Sequence, residues 1–207
     1  MGLPTLKQVV GWCVVLCLGA SLGGCGTLGL GGARPITIDA LASEGPTARL
    51  SVPQTTAVFR ESEGVIDLIV TDLTAEQLRQ LASDAPDFAP TGVIIHAHMF
   101  LKPHAGRTPI SFTASNAAFS MLVLAGPDAG IYGGGGFLLP SAMTPASFSA
   151  RTREATLRLV GQTGGFIDQI GSGELRGSIR ARADVLLTED GLRLIAGAMQ
   201  QLSPPER

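Results

Sequence analysis

The sequence predicts a mainly β protein, an antiparallel β-sandwich or partly open barrel with one short internal helix and a possible C-terminal helix. Short apolar segments with a period of two, bounded by Gly, Pro, Asn and Asp, recur from Thr47 onward. Clear helix-capping signals occur in one internal segment. We therefore expect no repeated strand–helix units and no parallel nucleotide-binding sheet.

Residues 1–24 have the features of a cleaved export signal. Lys7 precedes an apolar stretch from Val9 to Leu22, which leads into Leu22-Gly23-Gly24-Cys25. An apolar stretch of about 14 residues is shorter than the roughly 20 that a membrane-spanning helix needs. The segment resembles the lipobox signal peptide of bacterial lipoproteins. This resemblance implies cleavage before Cys25, attachment of acyl chains such as palmitate to Cys25, and a membrane partner reached through that lipid anchor.

The rest of the chain is predicted to consist of two parts. Residues 25–45 begin with a Gly-rich stretch and are assigned to a flexible tether. Residues 46–207 are long enough for one well-buried, β-rich extracytoplasmic domain. Gly26 after Cys25 resembles the pattern of lipoproteins forwarded to an outer membrane. The expected location is therefore the cell envelope, at an outer membrane, facing the periplasm or the cell surface.

Cysteine use and charge exclude several classes of function. Cys13 and Cys17 lie in the signal and Cys25 would carry the lipid, so the exported domain would have no thiol. Thiolate nucleophiles, disulfides and iron–sulfur clusters are thereby excluded. The formal net charge of −2 predicts no nucleic-acid partner.

The first half of the domain is predicted to contain strands and one helix. Alternation favours strands at Thr47–Val52 and Gly64–Thr71. Thr74, with Gln77 three residues later, forms a capping-box pattern, so a helix over Ala75–Ala82 is expected, with Leu78 facing the core.

The central segment is predicted to form three further strands and a glycine-rich irregularity. Over Gly92–Lys102 the odd positions are apolar, so His96 and His98 should project together from the opposite face. Thr108–Ser115 and Ala117–Ala125 are expected to be the next strands. Gly133–Gly136 is interpreted as a bulge, a tight bend or a flexible edge, where missing side chains permit positive φ or a close backbone approach. No Lys-Ser/Thr pair follows to make a phosphate loop.

Two features are predicted near the C-terminus. After a strand over Ala155–Val160, alternation from Leu175 to Leu187 predicts one long antiparallel strand with one wet face. Thr188 is then expected to cap a terminal helix, since Leu192 and Ile195 begin a helical spacing.

The three histidines lie within nine residues and form the sharpest chemical pattern in the chain. His96 and His98 could bind one Zn or Cu ion from a strand, with His104 folding back as a third ligand. Ordinary alternation on a wet face explains the same spacing without a metal. Acidic residues for such a site would have to be brought near by the fold, and the candidates are Asp67, Asp72, Asp84 and Asp87.

The segment from Val93 to Met99 resembles the His-x-His strand of copper–zinc superoxide dismutases and of similar secreted sandwich domains. The likeness covers less than about a tenth of the chain. The chain has too few histidines for the dismutase metal set and cannot form its disulfide. Dismutase activity is therefore not implied.

A row of arginines is the second candidate site. Arg176, Arg180 and Arg182 fall on one face of the predicted last strand, where guanidinium groups could bind phosphate or carboxylate groups of lipid headgroups or anionic glycans. Asp184 on the same face could instead neutralise the row.

The favoured function is a lipid-anchored envelope protein that presents a binding or scaffolding domain to an envelope protein or glycan, without a cofactor. Two alternatives remain: a Zn- or Cu-binding envelope protein, and an envelope hydrolase with a histidine base. Ser111, Ser115 and Ser120 lie near the histidines, but the chain has no Gly-x-Ser-x-Gly nucleophile motif. Enzymatic activity is therefore the less expected outcome.

Overall fold

The computed structural model of the protein describes residues 33–41, 48–83, 89–100 and 115–205. These ranges contain ten strands and two helices, all within a compact unit of residues 32–207. The mainly β class, with a short internal helix and a C-terminal helix, is confirmed.

The strands are β1 (Ile36–Ala40), β2 (Arg49–Val52), β3 (Thr56–Ser62), β4 (Val65–Thr71), β5 (Thr91–Met99), β6 (Ala117–Ala125), β7 (Asp128–Thr144), β8 (Ser147–Gln162), β9 (Ser172–Arg176) and β10 (Ser178–Ala183). The helices are α1 (Ala75–Ala82), between β4 and β5, and α2 (Val185–Gln201), after β10.

The strands form one sheet that closes on itself. From β3 to β8 each strand pairs antiparallel with the next. Strand β10 then pairs antiparallel with the first half of β8 and parallel with β3, which completes a ring of seven strands. The second half of β8 pairs with β9, and β1 and β2 extend the sheet beyond it. The described strands therefore form a closed barrel with a three-stranded extension, where the sequence predicted a sandwich or a partly open barrel.

Two apolar clusters lie on the two faces of the closed sheet. The inner cluster draws buried side chains from every strand, among them Ile95 and Phe119. The outer cluster joins Ile69 and Ile94 of the sheet to Leu78 of α1 and Ile195 of α2. Alternation puts successive residues of a strand on opposite faces, so β5 contributes to both clusters.

Helix α1 begins and ends where the sequence predicts. Thr74 Oγ1 accepts from the Gln77 amide at 3.2 Å, and Gln77 Oε1 accepts from the Thr74 amide at 2.9 Å. This capping box satisfies two backbone N–H groups that the helix leaves unpaired. Leu78 is fully buried, as predicted.

The predicted tether over residues 25–45 is wrong for its last part. Ile36–Ala40 is strand β1, paired with β9 on one side and β2 on the other, and Ile36 and Ile38 are fully buried. Burial of two isoleucines stabilises this short strand although glycine-rich sequence precedes it. The domain therefore begins before residue 46.

The single long strand predicted from Leu175 to Leu187 is also wrong. Strand β9 ends at Arg176 and β10 begins at Ser178, because their shared neighbour β8 is irregular there, with Glu154 at a φ of 51°. The Gly177 carbonyl accepts from the Thr152 amide at 2.9 Å at this break.

Helix α2 begins earlier than predicted. Its N-cap is Asp184, whose side chain accepts from the Leu187 amide at 3.1 Å. Thr188 lies inside the helix, where its hydroxyl donates to the Asp184 carbonyl at 2.6 Å. The predicted strand from Leu175 to Leu187 thus ran across the start of this helix.

The glycine run on β7 allows a close backbone approach, as predicted. A Cβ atom on Gly134 would lie 1.8 Å from the carbonyl oxygen of Thr156, and one on Gly136 would lie 2.4 Å from Cα of Ala155. The register of β7 against β8 shifts between Gly135 and Phe137. These glycines let β8 pack where any side chain would collide.

Several predicted features lie outside the described residues. These are the signal segment and Cys25, most of the predicted strand Thr108–Ser115, the end of the predicted strand Gly92–Lys102, and His104.

Candidate functional site

His96 and His98 lie side by side on the outer face of β5, as their spacing predicts. Their side chains are 14% and 36% exposed, and their ring centroids are 6.1 Å apart. Ile94, which precedes them on this face, is buried in the cluster under the helices. The two imidazoles therefore stand where the covered part of the face gives way to solvent.

The β4–β5 register brings Asp67 to both histidines. Asp67 pairs directly with His98, and Ile69 pairs with His96. The Asp67 Oδ1 atom lies 3.1 Å from His96 Nε2 and 2.7 Å from His98 Nδ1. One ligand atom from each of the three residues lies within 4.8 Å of the others. Asp67 thus supplies the carboxylate missing from the His-x-His segment itself.

The second carboxylate oxygen of Asp67 is held from the opposite side. Arg60, its partner across the β3–β4 ladder, donates from Nε to Asp67 Oδ2 at 3.1 Å. Arg60 also donates from Nη1 to Glu189 Oε1 of α2 at 3.0 Å. This chain fixes the carboxylate plane so that Oδ2 faces Arg60 while Oδ1 faces the histidines.

The Asp67 carboxylate is ionised over the physiological range. Burial alone would raise its pKa, but hydrogen bonds from His96, His98 and Arg60 outweigh that effect and hold the pKa well below its ordinary value. The formal charges of Asp67, Glu189 and Arg60 sum to one negative charge. A cation is therefore favoured beside Oδ1.

The side chains next to the histidines on β6 and β7 are small. Across β6 and β7, His98 is followed in register by Ala118 and Gly135, and His96 by Ser120 and Gly133. The rings of Phe100 and His98 form a T-shaped pair at a centroid distance of 5.1 Å, and Phe100 is half exposed. Among the described residues, no bulky side chain of β6 or β7 stands directly beside the imidazoles in the register.

The remaining carboxylates proposed from the sequence do not join this cluster within the described residues. Asp72 Oδ1 accepts from the Val93 amide at 2.8 Å, which is a structural role. Asp84 and Asp87 lie outside the described residues, as does His104. Sequence reasoning missed Arg60 and Glu189. Glu63 and Gly64, both at positive φ, form the turn between β3 and β4. A hairpin with this turn places Arg60 opposite Asp67, so recognition of the turn in the sequence could have identified Arg60.

The predicted arginine row is partly neutralised. Arg176 Nη2 donates to Glu174 Oε2 at 2.7 Å, and Arg182 lies 3.3 Å from Asp184. No carboxylate pairs with Arg180 among the described residues. Asp184 therefore has both roles, as helix cap and as the neutralising partner that the sequence suggested.

These features define a class of protein: a mainly β domain with a His–Asp–His cluster on the outer face of a closed sheet. Comparisons with known protein families, with curated proteins and with solved structures found no match to this chain. Neither helix in the described part of the chain is both long and apolar enough to cross a membrane.

Proposed function

We propose that this chain is a lipid-anchored protein of a bacterial cell envelope whose β domain binds a transition-metal ion, Zn²⁺ or Cu²⁺, at Asp67, His96 and His98. The observation that carries the metal site is the position of Asp67 Oδ1 within 3.1 Å of a nitrogen of each histidine.

The ligand set suits these metals. Two imidazole nitrogens and one carboxylate oxygen are donors for Zn²⁺ or Cu²⁺, with metal–ligand bonds of about 2.0–2.2 Å. Without metal, both histidines hydrogen-bond to Asp67 Oδ1. A bound ion would be held by His96 Nε2, His98 Nδ1 and Asp67 Oδ1, with each imidazole then carrying its proton on its other ring nitrogen.

The surroundings of the ligands support retention of a metal. Arg60 orients Asp67 through Oδ2, and second-sphere partners of this kind raise metal affinity by about 10–100-fold. Glu189 balances the charge of Arg60 at 3.0 Å, so the arginine does not cancel the attraction of the site for a cation.

The location rests on the N-terminal sequence. Lys7, the apolar stretch and Leu22-Gly23-Gly24-Cys25 support export, lipidation at Cys25 and retention at a membrane by acyl chains. The expected orientation, at an outer membrane facing the periplasm or the cell surface, follows from Gly26 and is part of the same proposal.

The test of the site is metal content and affinity of the full chain, purified from a bacterial host without a histidine tag. We expect near-stoichiometric Zn or Cu, with at least about 100-fold weaker binding in His96→Ala, His98→Ala or Asp67→Asn, because each removes a ligand. Arg60→Gln should weaken binding by about 10–100-fold.

Two variants serve as controls for this test. Glu76→Gln removes an exposed carboxylate on α1 and should leave metal affinity unchanged. His104→Ala measures whether the third histidine takes part. Protein that is metal-free and takes up neither Zn nor Cu, or a His96→Ala/His98→Ala variant that keeps its metal, would overturn the proposal.

A binding or scaffolding domain without a metal is the second candidate function, and the arginine-lined clefts described below favour it. A hydrolase with a histidine base gains less support. Ser120 lies opposite His96, but no hydrogen bond joins the two side chains among the described contacts. We therefore do not propose a nucleophilic serine.

A further inference from the structure

Three neighbouring clefts of about 410–550 Å³ lie along β9 and β10. The first and third clefts share Arg151 and Ser178, and the second and third share Arg180. We call the surface made by these three adjacent clefts the arginine groove. Each cleft is wide enough for a small polar group.

The groove is basic although the chain as a whole is weakly acidic. Its lining includes two glutamates and six arginines, and the formal net charge of the chain is −2. The arginines are Arg34, Arg151, Arg153, Arg176, Arg180 and Arg182. Concentration of positive charge in one concave strip favours an anionic partner over a neutral one.

Half of these arginines have no carboxylate partner among the described residues. Glu154 lies 3.2 Å from Arg153, and Glu174 lies 2.7 Å from Arg176, so both acidic side chains of the groove are already paired. Arg34, Arg151 and Arg180 make no ion pair within the described chain. Arg34 and Arg151 line the first cleft, Arg180 lines the second, and Arg151 and Arg180 line the third. Each cleft therefore has at least one arginine without a carboxylate partner among the described residues.

The groove lies where the chain enters the domain. Arg34 and Pro35 line its first cleft, and the Arg34 carbonyl accepts from Gln54 Nε2 of the second cleft at 2.5 Å. Arg34 follows Cys25 by nine residues, which span at most about 30 Å when fully extended. A lipid on Cys25 therefore keeps this end of the groove within about 30 Å of the bilayer surface.

We propose that the arginine groove binds the phosphate groups of acidic phospholipid headgroups in the membrane that carries the anchor. The position of the groove close to the membrane rests on the proposed lipidation of Cys25. Binding of the groove to phospholipid phosphate does not depend on that lipidation. Guanidinium groups match phosphate oxygens with paired N–H donors. A basic surface of this kind adds electrostatic attraction to acidic lipids, and it thereby strengthens membrane binding by a protein that has one lipidated residue.

The experiment measures binding of the fragment Gly26–Arg207 to lipid vesicles. This fragment contains the compact unit of residues 32–207 with all described strands and helices and their partners. Vesicles of phosphatidylglycerol with phosphatidylcholine are compared with vesicles of phosphatidylcholine alone. We expect binding to the acidic vesicles that weakens as salt is raised.

Matched variants test the groove itself. Arg151→Gln/Arg180→Gln removes two unpaired guanidinium groups and should weaken partition by about 25-fold, from roughly fivefold per arginine near an acidic surface. Arg158→Gln/Arg193→Gln removes the same charge from exposed positions outside the groove and should change partition little. Circular dichroism of each variant shows that the fold is kept.

The remaining outcomes each decide the proposal. Equal binding to both vesicle types, no binding, or equal loss in the two double variants would overturn it. Binding of inorganic phosphate or a soluble anionic glycan without vesicle binding would also overturn it and would identify a free anion as the ligand. Absence of lipid on Cys25 in the mass of the full chain would refute the anchor alone, and absence of metal would refute the site at Asp67 alone.

Discussion

The inner and outer faces of the closed sheet differ in what they can tolerate. The inner face is filled by a single apolar cluster with side chains from every strand, so each position is constrained by neighbours on several sides. The outer face is apolar where α1 and α2 cover it and polar beyond them, where Asp67, His96 and His98 meet. Substitutions on the inner face should therefore cost more stability than substitutions on the uncovered part of the outer face, where polar functional residues can be accommodated.

The glycine run on β7 gives the largest expected contrast between the faces. Gly134→Ala places a Cβ 1.8 Å from the Thr156 carbonyl oxygen, so the backbone must move. We expect a loss of about 3 kcal/mol or more in the free energy of unfolding, at the upper end of overpacking effects, measured by urea denaturation.

The matched control for this prediction lies one residue earlier. A Cβ on Gly133 meets nothing closer than a Val160 methyl group at 3.5 Å. Gly133→Ala should therefore leave stability unchanged or raise it by up to about 1 kcal/mol, because alanine restricts the unfolded chain. Similar losses for the two variants would contradict the proposed difference between the faces.

Two phenylalanines test the same difference by loss of a side chain. Phe119 on β6 is 1% exposed within the inner cluster, whereas Phe100 is 49% exposed beside His98. Phe119→Ala should cost about 3–5 kcal/mol through lost burial and the cavity left behind. Phe100→Ala should cost less than about 1 kcal/mol. Chemical denaturation of both variants gives the ratio, and equal costs would show that Phe100 is packed more firmly than its exposure indicates.

Tyr132 combines a ring buried in the inner cluster with a hydroxyl group that forms a hydrogen bond outside it. Its ring is 1% exposed, and its hydroxyl donates to Asp168 Oδ1 at 2.6 Å. Tyr132→Phe keeps the ring and removes this bond to a charged acceptor. We expect a loss of about 1.5–3 kcal/mol in the free energy of unfolding.

The same residue predicts a dependence on alkaline pH. Burial raises the pKa of Tyr132, and the bond to Asp168 raises it further. A raised pKa means that the stabilisation is complete below the unfolded value of about 10 and is lost as pH rises above it. Tyr132 is the only tyrosine in the chain, so absorbance at 295 nm reports it alone. Tyrosinate should appear only with unfolding, and its appearance in the folded state would refute the assignment.

Local patterns predicted much of the fold. The capping box of Thr74 and Gln77 fixed α1, and alternation fixed the two faces of β5, because both signals lie within one element. Strand β1 escaped prediction because five residues carry little periodicity and their burial depends on distant β9. The break at Gly177 depends on the irregularity of β8, which no pattern within the last strand records.

The candidate site was half predictable for the same reason. The shared face of His96 and His98 follows from their spacing on one strand. The choice of Asp67 from four candidate carboxylates depends on the β4–β5 register, which no short turn in the sequence indicates because helix α1 lies between the two strands. Arg60 and Glu189 then require the adjacent strand and the C-terminal helix to be in place.

The closure of the ring has a consequence for how the chain reaches its native state. Seven strands cannot alternate direction all the way round, so the ring closes at a parallel seam, where Val58 pairs with Arg182 and Phe59 with Ala183. The Asp184 amide adds one more bond, to the Phe59 carbonyl at 3.1 Å. When the chain is synthesised or exported N-terminus first, one edge of β3 therefore stays unpaired until β10, near the end of the sequence, is available. Completion of folding is tied to the last strand, and long-range closure of this kind is slow.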